Sequence, residues 1–263
     1  MLRNSITLGQ YLPVDSSVHR LDPRTKILGV LAYVVVLFLV RQYTGYLVMA
    51  GFTFALAWLG RIPIRMLIRG LRPILVILIL TVLLNAFMTP GDPLYSIWIL
   101  TITEQGLIQA GIMATRLLLL IMTTSMLTLT TAPIDLTDGI EYLLGPFKRV
   151  GVPAHELAMM MTIALRFIPT LLDEADRIMK AQMARGADFE SGNFVQRARN
   201  MIPLLVPLFV SAFRRADDLA LAMEARCYRG GEGRSRFKLL QLRGGDFVAG
   251  AFMILGFSLA LVV

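Results

Sequence analysis

The chain has few residues that could form a disulfide or a metal site. It contains one cysteine, Cys227, and two histidines among its 263 residues. A single cysteine excludes an intramolecular disulfide framework, and these three residues are too few for a metal site with several His or Cys ligands. We therefore expect neither a disulfide scaffold nor a metal centre.

Charged residues are also scarce, since they make up 17% of the chain whereas hydrophobic residues make up 56%. With a mean hydropathy of +0.66, the composition is that of a membrane protein. The net charge of +8 does not indicate nucleic-acid binding, because the basic residues lie between apolar runs and not on one solvated face. The expected environment is therefore the lipid bilayer, with no nucleic acid.

Apolar runs predict the membrane-spanning segments. A helix needs about 20 residues to cross the hydrocarbon core of about 30 Å, so the shorter runs reach that length only by using flanking residues. The sequence thus predicts an all-α integral membrane protein with about five transmembrane helices plus long cytoplasmic helices. The five runs cover residues 27–40, 46–60, 74–88, 107–129 and 247–263.

Basic residues are unevenly distributed among the segments that flank these runs. Four precede the first run, and four arginines lie in the loop between the second and third, whereas residues 89–106 contain no Lys or Arg. By the positive-inside rule, the N-terminus and residues 131–245 are cytoplasmic and the 89–106 loop is external. An odd number of spans then leaves the C-terminus external.

The charges divide the chain into three parts. Residues 131–246 carry 30 of the 44 charged residues, whereas residues 247–263 carry none. We therefore predict an N-terminal tail with four spans over residues 1–130, cytoplasmic helices over 131–245 and a final span over 246–263.

Strong helix formers in the cytoplasmic part predict helices over residues 134–144, 153–185 and 194–227. Pro153 suits a first helical turn, and Gly186 suits a helix end. The two long helices contain apolar stretches of nine and thirteen residues, which are too short to span the bilayer and favour helices lying against the membrane domain. Three prolines should bend these helices: Pro169, Pro203 and Pro207.

The groups that catalysis needs do not converge in the predicted spans. His155-Glu156 lacks the second histidine of an H-E-x-x-H zinc motif, and no G-x-x-x-x-G-K-[ST] phosphate-binding loop occurs. We therefore expect no catalytic residues and no bound cofactor. Any energy source must belong to another subunit.

Arg116 is the ionisable residue that lies deepest in a predicted span, near its middle, where a charge is costly. Two interpretations remain open. The guanidinium could face a partner, or it could pair inside the helix bundle and fix the packing.

Three motifs, in their order along the chain, resemble one family. They are His19-Arg20-Leu21-Asp22-Pro23-Arg24-Thr25-Lys26 before the first span, and Ala184-Arg185-Gly186 and Ala225-Arg226-Cys227 at the ends of the two long helices. Over essentially its whole length the chain resembles EcfT, the transmembrane coupling component of energy-coupling factor (ECF) vitamin transporters.

The resemblance implies a role, partners and a set of docking residues. Proteins of this family join two cytosolic ABC-type ATPases to a small substrate-binding membrane protein, the S component. Their two arginine motifs dock in grooves on the ATPases, which implies a non-catalytic coupling subunit for uptake of vitamins or other micronutrients. The resemblance assigns ATPase docking to Ala184, Arg185, Gly186, Ala225, Arg226 and Cys227.

The second docking motif departs from the first, because Cys227 stands where glycine would be expected. Without glycine, the sequence gives no reason to expect a left-handed backbone at that position.

An arginine at a helix end has two physical interpretations. Its five donors can bind acidic groups or carbonyls in a groove on another protein. Alternatively, arginine and glycine simply terminate a helix, since cations favour the negative end of the helix dipole and glycine caps it. Two such motifs at the ends of consecutive long helices favour docking.

Two functions of other classes remain open from the residues. A membrane enzyme could use a cytoplasmic-face site built from His155, Glu156 and Asp138. A self-sufficient carrier would need intramembrane polar residues, which are sparse in this sequence.

Overall fold

The structure is a computed structural model that describes residues 11–40, 42–97, 100–189, 191, 193–230 and 240–262. It divides into two compact units, a first unit of Gly9–Gly139 with Leu239–Val263 and a second unit that includes Ile140–Lys238. Residues 1–10 of the predicted tail and residues 231–239 of the predicted cytoplasmic part lie outside the described residues.

Helices dominate both units, and local sequence signals set where they begin. Asp22 caps the first helix by accepting the Arg24 N–H at 2.9 Å, and Pro23 occupies the first turn, where a missing N–H is tolerated. The helices are α1 (Pro23–Leu39), α2 (Tyr43–Leu59), α3 (Ile64–Leu71), α4 (Leu75–Met88), α5 (Glu104–Thr130), α6 (Pro133–Leu144), α7 (Ala154–Ala184), α8 (Phe194–Asn200), α9 (Ile202–Ala225) and α10 (Gly244–Val262).

Four of the described helical segments are long and apolar enough to cross a membrane, namely Ile64–Met88, α5, α7 and α10. α1 and α2 have 17 residues each, which at 1.5 Å per residue is about 25 Å. These two helices need flanking residues to complete a crossing. α7 has the lowest mean hydropathy of the four segments, 1.2. The protein is an all-α integral membrane protein.

The predicted loop between the second and third spans is largely helical. α3 continues through a 3-10 turn, Arg72–Ile74, into α4. Leu67 is buried against Met126 of α5, whereas Arg65 and Arg69 are exposed. The interpretation of this stretch as a loop was wrong because its arginines, four residues apart, share one face of an amphipathic helix.

A short β-hairpin lies within the predicted external loop over residues 89–106. Strand β1 (Pro93–Ile97) pairs antiparallel with β2 (Leu100–Thr103), and Ser96 lies opposite Thr101. This hairpin was not predicted from the sequence. Its signal was available, because β-branched and aromatic residues follow the turn sequence Pro90-Gly91-Asp92-Pro93.

The core of the first unit is aromatic and contains an internal polar link. The Tyr33 ring lies with its centroid 6.3 Å from that of Phe52 in α2 and 6.0 Å from that of Phe257 in α10. The Tyr33 hydroxyl is 2.7 Å from Thr53 Oγ1, which donates to the Met49 carbonyl at 2.9 Å. Buried hydroxyls in a membrane helix bundle need protein partners, so this link holds α1 to α2.

Gly45 allows α2 and α10 to approach each other closely. A Cβ at this position would lie 2.6 Å from the Ala260 carbonyl oxygen and 2.7 Å from Val40 Cγ1. Because the first of these atoms is backbone, an added methyl group could be accommodated only by moving a helix.

The second unit differs from its predicted helices at one point. The sequence predicts a single helix over 194–227, whereas the structure has α8 and α9, which meet at Met201. Pro203 lacks an N–H and therefore lies in the first turn of a new helix instead of bending a continuous one. Pro169 and Pro207 lie inside α7 and α9.

α7 and α9 lie side by side and run in opposite directions. Near the end of α7, Gln182 Nε2 donates to the carbonyl of Pro203, at the start of α9, at 3.5 Å. In the middle, Arg215 Nη2 donates to Glu174 Oε2 at 2.9 Å. At the start of α7, His155 Nε2 lies 3.4 Å from the hydroxyl of Tyr228, beyond the end of α9.

Replacing Gly45 with alanine should destabilise the protein by about 1–3 kcal/mol, because the added methyl group meets the backbone of α10. Thermal unfolding of the detergent-solubilised chain would measure the change. Gly51 of the same helix is the matched control, since a Cβ there meets nothing within 4 Å. Gly51→Ala should be neutral or stabilise by up to about 1 kcal/mol, and equal losses in both variants would contradict the close approach.

Candidate functional site

The arginines that the sequence analysis singled out each end a long helix. Arg185 is the C-cap of α7, and Arg226 is the C-cap of α9. All six residues that the resemblance assigns to docking are exposed: Ala184, Arg185, Gly186, Ala225, Arg226 and Cys227.

The end of α7 is a Schellman turn. The Gly186 N–H donates to the Met183 carbonyl at 3.0 Å, and the Ala187 N–H donates to the Gln182 carbonyl at 3.0 Å. Gly186 has a φ of +87°, the left-handed conformation that this turn requires and that glycine adopts without strain.

The end of α9 has the same turn without glycine. The Cys227 N–H donates to the Glu224 carbonyl at 2.8 Å, and the Tyr228 N–H donates to the Met223 carbonyl at 3.0 Å. Cys227 has a φ of +56°, which costs a non-glycine residue about 1–2 kcal/mol. A left-handed backbone is therefore present at Cys227, although the residue type offers no reason to expect it there.

The antiparallel pairing of α7 and α9 puts the two arginines at opposite ends of the pair. Arg185 follows Gln182, which contacts the start of α9, whereas Arg226 precedes Tyr228, which contacts the start of α7. The 27 residues from His155 to Gln182 correspond to about 40 Å along a helix. A protein bound at one tip would therefore lie far from a protein bound at the other.

His155 connects three segments of the second unit through its side-chain contacts. Its Nδ1 lies 2.9 Å from Glu141 Oε1 and its Nε2 lies 3.4 Å from the Tyr228 hydroxyl, so the ring links α6, α7 and the segment after α9. Glu156, which the enzyme hypothesis joined to His155, is exposed. Among the described residues, no group of three or more His, Cys, Asp or Glu side chains could hold a metal ion.

Charged side chains of the N-terminal motif are buried where α1 and α10 begin. Asp22, Arg24, Lys26 and Asp246 are each at most 8% exposed. Asp246 accepts the Asp22 N–H at 2.7 Å and the Arg243 N–H at 2.7 Å, one with each carboxylate oxygen. This carboxylate therefore joins the first and last helices of the first unit.

Two cations complete this junction. The Arg24 guanidinium donates to both carboxylate oxygens of Asp22, at 3.0 and 2.9 Å. Lys26 Nζ donates to the Thr130 carbonyl at 2.9 Å and to the His19 carbonyl at 3.2 Å. A cation at the last carbonyls of α5 is favourable because the helix dipole is negative there.

The junction shifts the pKa values of Asp22 and His19. Burial on its own would raise the pKa of Asp22, but the hydrogen bonds and charge of Arg24 outweigh it and lower that pKa. Burial, together with the nearby Lys26 ammonium, lowers the pKa of His19. Both shifts favour an ionised Asp22 beside a neutral His19 at neutral pH.

Arg116 pairs inside the helix bundle. Its Nη2 and Nε donate to the Tyr46 hydroxyl at 2.6 and 3.1 Å, and its guanidinium carbon lies 5.2 Å from the centroid of the Phe38 ring. Tyr46 in turn donates to the Val40 carbonyl at 3.2 Å. The packing interpretation accounts for these contacts.

Neither Asp246 nor Tyr46 was predicted from the sequence to have a structural or functional role. A usable signal existed for Asp246, which is the last charged residue before the charge-free final run. Tyr46 carried no signal, because a tyrosine in an apolar helix is common and its pairing with Arg116 joins residues 70 positions apart.

The sequence is similar to proteins of one transporter family. The family model described as CbiQ, cobalt transport protein, matches residues 15–239. The chain is 62% identical over 244 residues to the energy-coupling factor transporter transmembrane protein EcfT of Thermosediminibacter oceani, which covers 93% of this chain and 92% of that protein. It is 57% identical over 246 residues to EcfT of Clostridium kluyveri, covering 93% of this chain and 91% of that protein.

Replacing Cys227 with glycine should stabilise the last turn of α9 by about 1 kcal/mol, because glycine adopts a positive φ without strain. Hydrogen exchange of the detergent-solubilised chain would show slower exchange at the Cys227 and Tyr228 amides. The matched control at the other tip is Gly186→Ala, which should destabilise the last turn of α7 and speed amide exchange there. Faster exchange in Cys227→Gly would contradict the left-handed assignment.

Replacing Asp246 with alanine should destabilise the protein by about 2 kcal/mol, because the buried Asp22 N–H and the part-buried Arg243 N–H lose a charged acceptor. Thermal unfolding in detergent measures this loss. Asp15→Ala is the control: the Asp15 side chain is 88% exposed and lies 3.7 Å from Arg20, so its loss should amount to less than about 1 kcal/mol. Equal destabilisation by the two variants would show that the Asp246 contacts contribute no more to the free energy of unfolding than an exposed ion pair does.

Proposed function

Because the chain belongs to the EcfT family of energy-coupling factor transporter transmembrane proteins, we propose that it carries ATP-driven motion from two cytosolic ATPases to a substrate-binding S component. The chain is a non-catalytic transporter component, and ATP hydrolysis takes place in the partner ATPases. The cargo is a vitamin or another micronutrient, which the S component selects.

The main support for this proposal is that Arg185 and Arg226 lie in similar turns at opposite ends of the antiparallel α7–α9 pair. The turns at Gly186 and Cys227 have the same hydrogen-bond pattern. With the tips about 40 Å apart along the pair, each arginine meets a separate ATPase. A single helix pair can then respond to a change in the distance between the two ATPases.

The hydrogen bonds of both turns favour docking over simple helix termination. In each turn, backbone N–H groups already satisfy two of the last helix carbonyls, those of Gln182 and Met183 in α7 and those of Met223 and Glu224 in α9. The guanidinium groups of Arg185 and Arg226 are therefore not needed to end their helices. Their fixed fork of donors suits carboxylates or carbonyls in a groove on another protein.

We place the N-terminus and residues 131–245 in the cytoplasm and the C-terminus outside. The positive-inside distribution supports this orientation, because Arg61, which precedes α3, lines the same pocket as Arg20 of the N-terminal motif. In this arrangement α7 lies along the cytoplasmic face and does not cross the bilayer. Its acidic and basic residues, Asp173 to Lys180, support that position.

The S component contacts apolar surface on α9. Phe209 and Phe213 of α9 are 60% and 68% exposed. Aromatic side chains at this exposure are costly in water and are typical of surfaces that bind another protein or a membrane. This surface lies on the helix pair that carries both docking tips, so ATPase motion and S-component contact share one element.

Reversing the charge at both tips tests the proposal. In the Arg185→Glu/Arg226→Glu variant, ATPase recovered with the affinity-purified chain should fall at least tenfold, because each groove that accepted a cation would meet a carboxylate. Substrate uptake by cells that carry the complete transporter should fall with it.

The matched control is Arg177→Glu/Arg214→Glu, which reverses two exposed arginines on the same helices away from the tips. This control should keep its ATPases. Normal ATPase recovery and uptake in the tip variant would refute docking through these arginines. Uptake by the chain without any ATPase subunit would instead support the self-sufficient carrier.

A further inference from the structure

Two cavities adjoin in the first unit, near the end where α1 and α10 begin. The first is an apolar cleft of about 470 Å³ among α1, α2, α5 and α10, with walls that include Val30, Phe52, Met126 and Phe252. The second is a polar pocket of about 560 Å³ that contains Asp15, Arg20, Trp58 and Arg61. Ser17 and Leu59 line both cavities, so one opens beside the other.

We propose that these adjoining cavities bind one anionic phospholipid, with an acyl chain in the apolar cleft and the phosphate between Arg20 and Arg61. An apolar cleft next to a cationic pocket matches the two parts of such a lipid, its acyl chains and its negatively charged headgroup. An apolar cavity does not hold ordered water, and the bilayer supplies hydrocarbon chains to fill it.

The charge in the polar pocket favours an anion. Asp15 lies 3.7 Å from Arg20, but both side chains are more than half exposed, so the pair is weak. Arg61 forms no ion pair with any residue that the structure describes. Two cations against one carboxylate leave the pocket positive, and basic groups near the bilayer surface attract anionic headgroups.

The backbone holds Arg61 in place beside the cleft. α2 ends in a turn in which the Arg61 N–H donates to the Trp58 carbonyl and the Ile62 N–H to the Ala57 carbonyl, both at 3.0 Å. Arg61 has a φ of +50°, and the following Ile62 is buried at 6% exposure. A non-glycine residue keeps this conformation only when its surroundings fix it.

The pocket also has the chemistry of the membrane interface. Trp58 is 81% exposed at the end of an apolar helix, and tryptophan is enriched at the level of the lipid headgroups. The same end of the first unit carries the basic residues that indicate the cytoplasmic side. The lipid therefore belongs to the inner leaflet.

Thermal unfolding of the full chain in a neutral maltoside detergent tests the proposal directly. Dioleoyl phosphatidylglycerol should raise the melting temperature in a saturable way, at a concentration at least tenfold below that of dioleoyl phosphatidylcholine. Glycerol 3-phosphate, which has the headgroup charge without acyl chains, should give no shift. Equal effects of the two lipids, or a full shift with glycerol 3-phosphate, would overturn the proposal.

Variants separate the two parts of the site. Arg20→Gln/Arg61→Gln should reduce the preference for phosphatidylglycerol at least tenfold, whereas Arg69→Gln, an exposed arginine of α3 outside both cavities, should keep it. Ala249→Phe, which fills the cleft, should weaken the effect of both lipids. An unchanged preference in the double variant would overturn the proposal, and the comparison of lipids on the unmodified chain needs no variant to fold.

Discussion

Two buried carboxylates, Asp22 and Asp246, connect the N-terminal ends of α1 and α10 in the first unit. Asp246 accepts N–H groups from the beginnings of both α1 and α10, and Asp22 pairs with Arg24. Buried charges are stable only when each is paired or hydrogen-bonded, so these groups must assemble together. The positions of α1 and α10, and with them the walls of the apolar cleft, depend on this constraint.

Local signals in the sequence predicted much of the helical structure. Pro153 directly precedes α7, and Gly186 ends that helix in the turn expected of glycine. The same signals missed α3, whose arginines resembled a basic loop until their helical spacing was considered. They also gave no warning that Cys227 would adopt the conformation of a glycine, because the hydrogen bonds of the turn outweigh the local preference of the side chain.

The burial of Arg24 and Lys26 could not be predicted from the motif that contains them. Near the start of a span, both resembled ordinary determinants of orientation. Arg24 pairs with the nearby Asp22, but the partners of Lys26 and of Asp22 itself come from elsewhere in the chain. Thr130 is 104 residues from Lys26, and Asp246 is 224 residues from Asp22. No local period or spacing carries such contacts. The motif therefore contains the buried cations of this junction, while their physical role depends on tertiary structure.

The single cysteine of the chain has an unusual position. Cys227 is exposed and directly follows Arg226 at one end of the antiparallel α7–α9 pair. With no other thiol in the sequence, a maleimide fluorophore or spin label would attach at this one tip of the unmodified protein. The natural sequence thus provides an attachment site for one spectroscopic reporter, beside Arg226 and not beside Arg185, so this end of the helix pair can be observed without a signal from the other end.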